Sequence, residues 1–376
     1  MKTGRLFLDK KMLAAAIIYF SVGAWLLFRL GINTGGEAQK FIDNANRMIN
    51  GEAFFNGSFG YFYIAYTGLV AFFIKLSVNL VFVGFMQLVL SFLAGLCLYK
   101  IILRFSSNTR IAFLFFIVYL FCYPVQKWNF YVYSESLHIS FLVIGSYLFL
   151  SWLCDKKLIS LLLLGPVLLF VLFSRPVGLI FCMSLLVVLL VWLYQQKKRV
   201  LFFLAAGITL VSLILILNSP YTAFINPDSI RRMEIICQVP EISDSAVYHE
   251  YNREGLYQAF AVIKNEVGLG NFFKAGFKKL GYFFGLVRNY YSWYHNLLLI
   301  VFTVLYPFAL IGIFSKPGAL FYYPKLLAIC YLLFTAIGIF FTCDEWSNRF
   351  IGPAFPFILI LAAGGVFALY KKKKNV

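Results

Sequence analysis

Four charged side chains stand where a very apolar chain is interrupted, and their types suit one kind of chemistry. Glu37 lies in the polar stretch NTGGEAQKFIDNANRMINGE, directly after Gly35 and Gly36. Glu135 stands in WNFYVYSESLH, Arg175 in FSRPVGL and Arg349 in CDEWSNRFIGPAFP. A carboxylate fixed just above a membrane surface can take the proton of a hydroxyl. An arginine set between two apolar runs needs an anionic partner, either a carboxylate such as Glu135 or the phosphate of a ligand. Plainer roles compete: Glu37 as the cap of a helix, Arg175 as half of a structural ion pair.

The elements that must position these groups are membrane helices. The chain is 62% apolar and 20% aromatic, with a mean hydropathy of +0.84. A soluble domain of 376 residues could not hide that much apolar surface, so lipid is the solvent for most of it. The net charge of +18 does not point to nucleic acid, because the cations sit at the ends of apolar spans. We read an all-α polytopic fold in a single transmembrane domain, 1–376. It has ten spans near 12–31, 78–101, 111–126, 137–154, 158–174, 177–196, 200–217, 297–315, 326–343 and 350–370. Met12 to Phe28 has no small-residue cleavage site after it and reads as a retained first span.

Charge sets the sidedness. If Tyr61–Ile74 does not cross, then Lys2, Arg5, Lys10, Lys11, Lys100, Arg104, Arg110, Lys156, Lys157, Lys197, Lys198, Arg199, Lys316, Lys325 and Lys371 to Lys374 share one side with both termini. The positive-inside bias makes that side cytoplasmic. Tyr61–Ile74 is then a re-entrant or interfacial helix. Two outer loops follow, 32–77 and 218–296, and all but Asp9 and Asp155 of the fifteen acidic residues fall on the outer face. In the first loop, Phe41, Ile42, Ala45, Met48 and Ile49 recur at helical spacing and predict an interfacial helix from Glu37 to Gly51.

Other residues of the outer face are candidates for binding. Trp128, Tyr131 and Tyr133 are interface-belt aromatics or stacking surfaces for a sugar ring, and His138 stands at the mouth of the same span. Tyr61 and Tyr63 lead the aromatic run GYFYIAYTGLVAFFIKL. Lys278 and Lys279 belong to a basic, Phe-rich helix that grips anionic headgroups or holds a ligand's phosphate. Asp344 and Glu345 are solvated loop charge, substrate contacts, or partners of Glu37 on a divalent cation; three histidines give no ligand cluster. Of seven cysteines, Cys97, Cys122, Cys154, Cys182 and Cys330 read as small hydrophobes. Cys237 and Cys343 can share the outer side, and spacing leaves a disulfide between them open.

This order of pieces resembles the GT-C membrane glycosyltransferases, in the branch of protein O-mannosyltransferases and lipid A aminoarabinose transferases. Glu37, Phe41, Ala45 and Gly51 correspond in spacing to that family's D-x-x-x-Y…A…G interfacial helix, with glutamate in place of the usual aspartate. Glu135 corresponds to an acidic residue of the next outer loop, and NRFIGPAFPFILILAAGG is similar to the family's R-[YF]-x-x-P-x-x-P ending. The resemblance implies a multi-pass enzyme of a bacterial-type inner or plasma membrane. It would move a sugar from a polyprenyl-phosphate donor to a glycan, lipid or protein acceptor on the outer face. Glu37 and Glu135 would be catalytic, Arg175, Arg349, Lys278 and Lys279 would bind the donor phosphate, and no nucleotide is required; the chain has no P-loop or G-x-G-x-x-G. A flippase would instead need ionisable residues along mid-span, and a polymerase or ligase would be centred on the 218–296 loop.

Overall fold

In lipid every backbone N–H and C=O must be bonded within its own segment, so uninterrupted apolar runs fold as helices. The computed structural model describes residues 10–53, 60–217, 227–237, 239, 256–316, 318–343 and 348–374, and among these it is helical with no strands. Among the described residues, seven helices are long and apolar enough to cross a membrane: Lys10–Leu30, Val81–Ser106, Glu135–Asp155, Gly178–Gln195, Trp293–Phe314, Leu320–Phe340 and Gly352–Lys373. Glu135–Asp155 and Gly352–Lys373 are the most enclosed, 72% and 78% buried, so the central helices are those that begin beside Glu135 and Arg349.

The expected spans change at several places. The run expected as one span over 111–126 ends as a straight helix at Leu120 and turns by 49° into Tyr123–Phe130. Pro124 lacks an N–H for the helical ladder, and Cys122 is extended before it. The Leu158–Leu172 helix rises about 23 Å, less than the ~30 Å hydrocarbon core. The span expected over 326–343 begins earlier, at Ala319, with Pro324 inside it. The Ile64–Lys75 helix rises only about 18 Å and packs on Glu37–Ile49 through Phe41, Ala45, Tyr66 and Val70.

A buried amide cluster fixes the turn that leads to Glu135. Gln126 Oε1 accepts from Tyr19 Oη at 2.8 Å, Ser91 Oγ at 3.1 Å and Asn129 Nδ2 at 2.7 Å. Gln87 Nε2 donates to the carbonyls of Asn129 and Tyr131 at 3.1 and 3.0 Å. Satisfied in this way, the uncharged polar groups hold three elements in register without a buried charge. Of the 218–296 loop, the Pro227–Arg231, Leu256–Val262 and Leu269–Phe284 helices are described, and Arg231 Nε bonds Glu266 Oε2 at 2.6 Å. Cys237 and Cys343 are joined in a disulfide, which ties this loop to the segment before Arg349.

Candidate functional site

Backbone geometry brings the first loop against the turn before Glu135. Asn33 N donates to Phe130 O at 2.8 Å and Val132 N donates to Asn33 O at 3.0 Å, the single bridge among the described residues. Gly36 then adopts φ 63°, ψ −126°, a conformation essentially reserved for glycine, and starts the Glu37–Ile49 helix. The Glu37 N–H donates to Tyr133 Oη at 3.3 Å, so the loop of one candidate carries the helix start of another. Glu37 and Glu135 each occupy the first turn of a helix, where the helix dipole favours a negative charge.

The four residues picked out above form one ladder of alternating charge. Glu37 pairs with Arg349 Nη1, Arg349 Nε pairs with Glu135 Oε1, and Glu135 Oε1 also meets Arg175 Nη1. Side-chain exposure falls from 39% at Glu37 to 7% at Arg349 and 0% at Glu135, and Arg175 is at 4%. Two acids and two guanidiniums balance, so the ladder carries no net charge into the protein. Only Glu37 reaches solvent to any extent. Among the described residues, Glu135 Oε2 and Arg175 Nε have no hydrogen-bond partner.

Two cavities flank the ladder. Arg175 stands at one of about 160 Å³, otherwise lined mainly by apolar groups, including Tyr63, Ile180, Ile339, Phe350 and Pro353, with Tyr331 and Thr335. The tight Ser174–Gly178 turn aims Arg175: a Cβ on Gly178 would strike the Val171 carbonyl oxygen. His138 supports this turn from behind. Ser174 Oγ donates to Val171 O at 3.1 Å and therefore accepts from His138 Nδ1 at 2.9 Å. The second cavity, about 130 Å³, is lined by Tyr123, Lys127, Trp128, Tyr131, Tyr133, Tyr291 and His295. Tyr133 joins the two halves, because its ring also lies 5.3 Å from the Arg349 guanidinium. Burial pushes the Tyr133 phenol above its ordinary pKa and the Glu37 charge adds to this, against the Glu37 N–H and Arg349.

Not every candidate joins the site. His138 is fully buried and lines neither cavity. Lys279 lies on the inner face of Leu269–Phe284 with Phe272, Ala275, Gly276 and Phe283, and its Nζ is 3.5 Å from Phe340 O. The expected donor-phosphate role places it on the wrong face: the 3- and 4-residue spacing that buries the phenylalanines buries Lys279 too. Burial lowers its pKa to about 8 against the pull of Glu234. Lys278 and Tyr61 are exposed and line neither cavity, whereas Tyr63 lines the first. Asp344 and Glu345 lie outside the described residues, so the divalent-cation option that includes them does too; no cluster of three or more His, Cys, Asp or Glu occurs among the described residues. Sequence reasoning missed Thr335, Tyr331, Tyr291 and His295. Their only signal is polar atoms in otherwise apolar helices or aromatic loops. The chain matches no family model, and no curated protein or solved structure matches it.

Proposed function

We propose that this protein is a GT-C-like glycosyltransferase that moves a sugar from a polyprenyl-phosphate carrier to an acceptor on the face of the membrane where Glu37 lies. One observation carries the reading. A buried arginine with an unpartnered Nε stands at the end of an apolar cavity, and a charge ladder links it to a half-exposed carboxylate at a helix start. A donor of this class has an anionic head and an apolar tail, and the Arg175 cavity suits both parts. The aromatic cavity on the far side of Tyr133 suits the flat faces and hydroxyls of a saccharide acceptor.

In the reaction the acceptor oxygen attacks the anomeric carbon while the bond from that carbon to the phosphate oxygen breaks. The bonding electrons leave with the phosphate, where Arg175 and Arg349 meet the developing charge. The acceptor's proton passes to the Glu37 carboxylate. Glu135 touches no reacting atom in this scheme; it anchors both arginines and is a positioning residue. Ten crossings with cytoplasmic termini, in a bacterial-type inner membrane, complete the reading. The Cys237–Cys343 disulfide supports placing the Arg349 segment in an oxidising compartment.

The test is mass spectrometry of lipid-linked sugars and surface glycans in cells carrying the wild type, Glu37→Gln or Arg175→Ala. Accumulated donor and lost glycan in both variants is the expected result. A polymerase centred on the 218–296 loop would tolerate Glu37→Gln, and that outcome would overturn the assignment.

A further inference from the structure

The opposite end of the helix bundle holds a large cleft that plays no part in the reaction above. From Gln87, in the amide cluster under the site, to Ser106, at the cleft, the Val81–Ser106 helix rises about 28 Å. That is close to the full hydrocarbon thickness of about 30 Å, so the cleft lies at the other membrane surface. Its volume is about 980 Å³. Three separate elements contribute a cation each: Arg110 from the start of Thr109–Leu120, Lys316 from the turn after Phe314, and Lys371 from the end of Phe355–Lys374. No acidic residue lines it, and none of the three cations forms an ion pair among the described residues.

The floor of the cleft differs from its rim. Phe105 and Phe321 pack with ring centroids 4.5 Å apart, and Phe367 lies under the Lys371 ammonium at 5.0 Å. Asn108 Oδ1 already accepts from the backbone N–H groups of Arg110 and Ile111, so the cations rather than the helix end supply the free donors. An aromatic floor under three uncompensated cations at a membrane surface matches one occupant in charge and in polarity. We infer that this cleft binds the headgroup of an anionic phospholipid of that leaflet, with its acyl chains against the adjoining apolar helices.

The positive-inside tendency alone would scatter cations over this surface, and the test separates the two. Full-length protein is equilibrated with vesicles of equal phosphatidylcholine and phosphatidylglycerol, and retained lipid is counted by native mass spectrometry. The wild type is expected to keep phosphatidylglycerol in preference to phosphatidylcholine. Each cation near a membrane surface is worth about fivefold in binding, so Arg110→Gln with Lys316→Gln and Lys371→Gln lowers retention about a hundredfold. A control with Lys197→Gln, Lys198→Gln and Arg199→Gln, exposed cations that line no part of the cleft, keeps the lipid as the wild type does. The single Arg110→Gln variant, with about a fivefold loss expected, carries the test if the triple variant does not fold. Equal losses in the control, no preference for phosphatidylglycerol in the wild type, or protection against melting by inorganic phosphate equal to that by the lipid would each overturn the assignment.

Discussion

The two ends of this bundle handle charge in opposite ways. Around Glu37, Arg349, Glu135 and Arg175 every guanidinium meets a carboxylate, and three of the four side chains are almost wholly buried. Around Arg110, Lys316 and Lys371 the cations are exposed and unmatched among the described residues. Burial explains the difference. A charge removed from water is tolerated only with a partner and hydrogen bonds, whereas an exposed cation costs little and is free to meet whatever lies at the surface. Paired charge holds geometry at one end; at the other, among the described residues, exposed charge is left unpaired.

Mutations break this contrast in order of size. Glu135→Ala leaves two buried guanidiniums without their shared partner and should lower stability by about 3–5 kcal/mol, read as a fall in melting temperature. Cys237→Ser removes the link across 106 residues that steadies the segment before Arg349, with an expected cost of about 2–4 kcal/mol. Lys279→Met tests the cost of a buried cation whose burial the nearby charge of Glu234 offsets only in part. Below about pH 8 Lys279 is protonated in both the folded and unfolded chain, and the fold bears the whole penalty. As pH rises from about 8 toward 10.5 the folded protein releases that proton first, so stability should increase; Lys279→Met should be more stable at pH 7 and lose this rise, by on the order of 1–3 kcal/mol. Smallest is Lys371→Gln, an exposed change expected to alter stability by less than about 0.5 kcal/mol. A Lys371→Gln cost as large as that of Glu135→Ala would erase the distinction between the two ends.

Much of the arrangement was legible because charge is scarce in a lipid-dissolved chain. Glu37, Glu135, Arg175 and Arg349 stand out from their apolar surroundings, and helical periodicity with Gly36 and Gly51 marks the Glu37–Ile49 helix within two residues. What pairs with what was not legible: Arg349 and Glu37 are 312 residues apart, and only packing brings them together. The break after Leu120 was hidden because Tyr123–Phe130 keeps the apolar composition of a span while Pro124 ends its geometry. Lys279 misled because a cation on a Phe-rich helix reads as a grip for a headgroup or phosphate, and here the apolar face closed over it. The cavities belong to no segment at all. Tyr63, Arg175, Thr335 and Pro353 meet from four parts of the chain, and no spacing rule connects them.

The central claim is that the Arg175 cavity receives a lipid phosphate and Glu37 takes the acceptor's proton. Its most direct measurement is turnover of a labelled polyprenyl-phosphate sugar by the purified full-length protein in lipid, compared with Glu37→Gln and Arg175→Ala. We predict transfer by the wild type, a loss of about a hundredfold or more in each variant, and donor binding that survives Glu37→Gln but weakens in Arg175→Ala. Transfer that is absent in the wild type, or undiminished in both variants, would contradict the account.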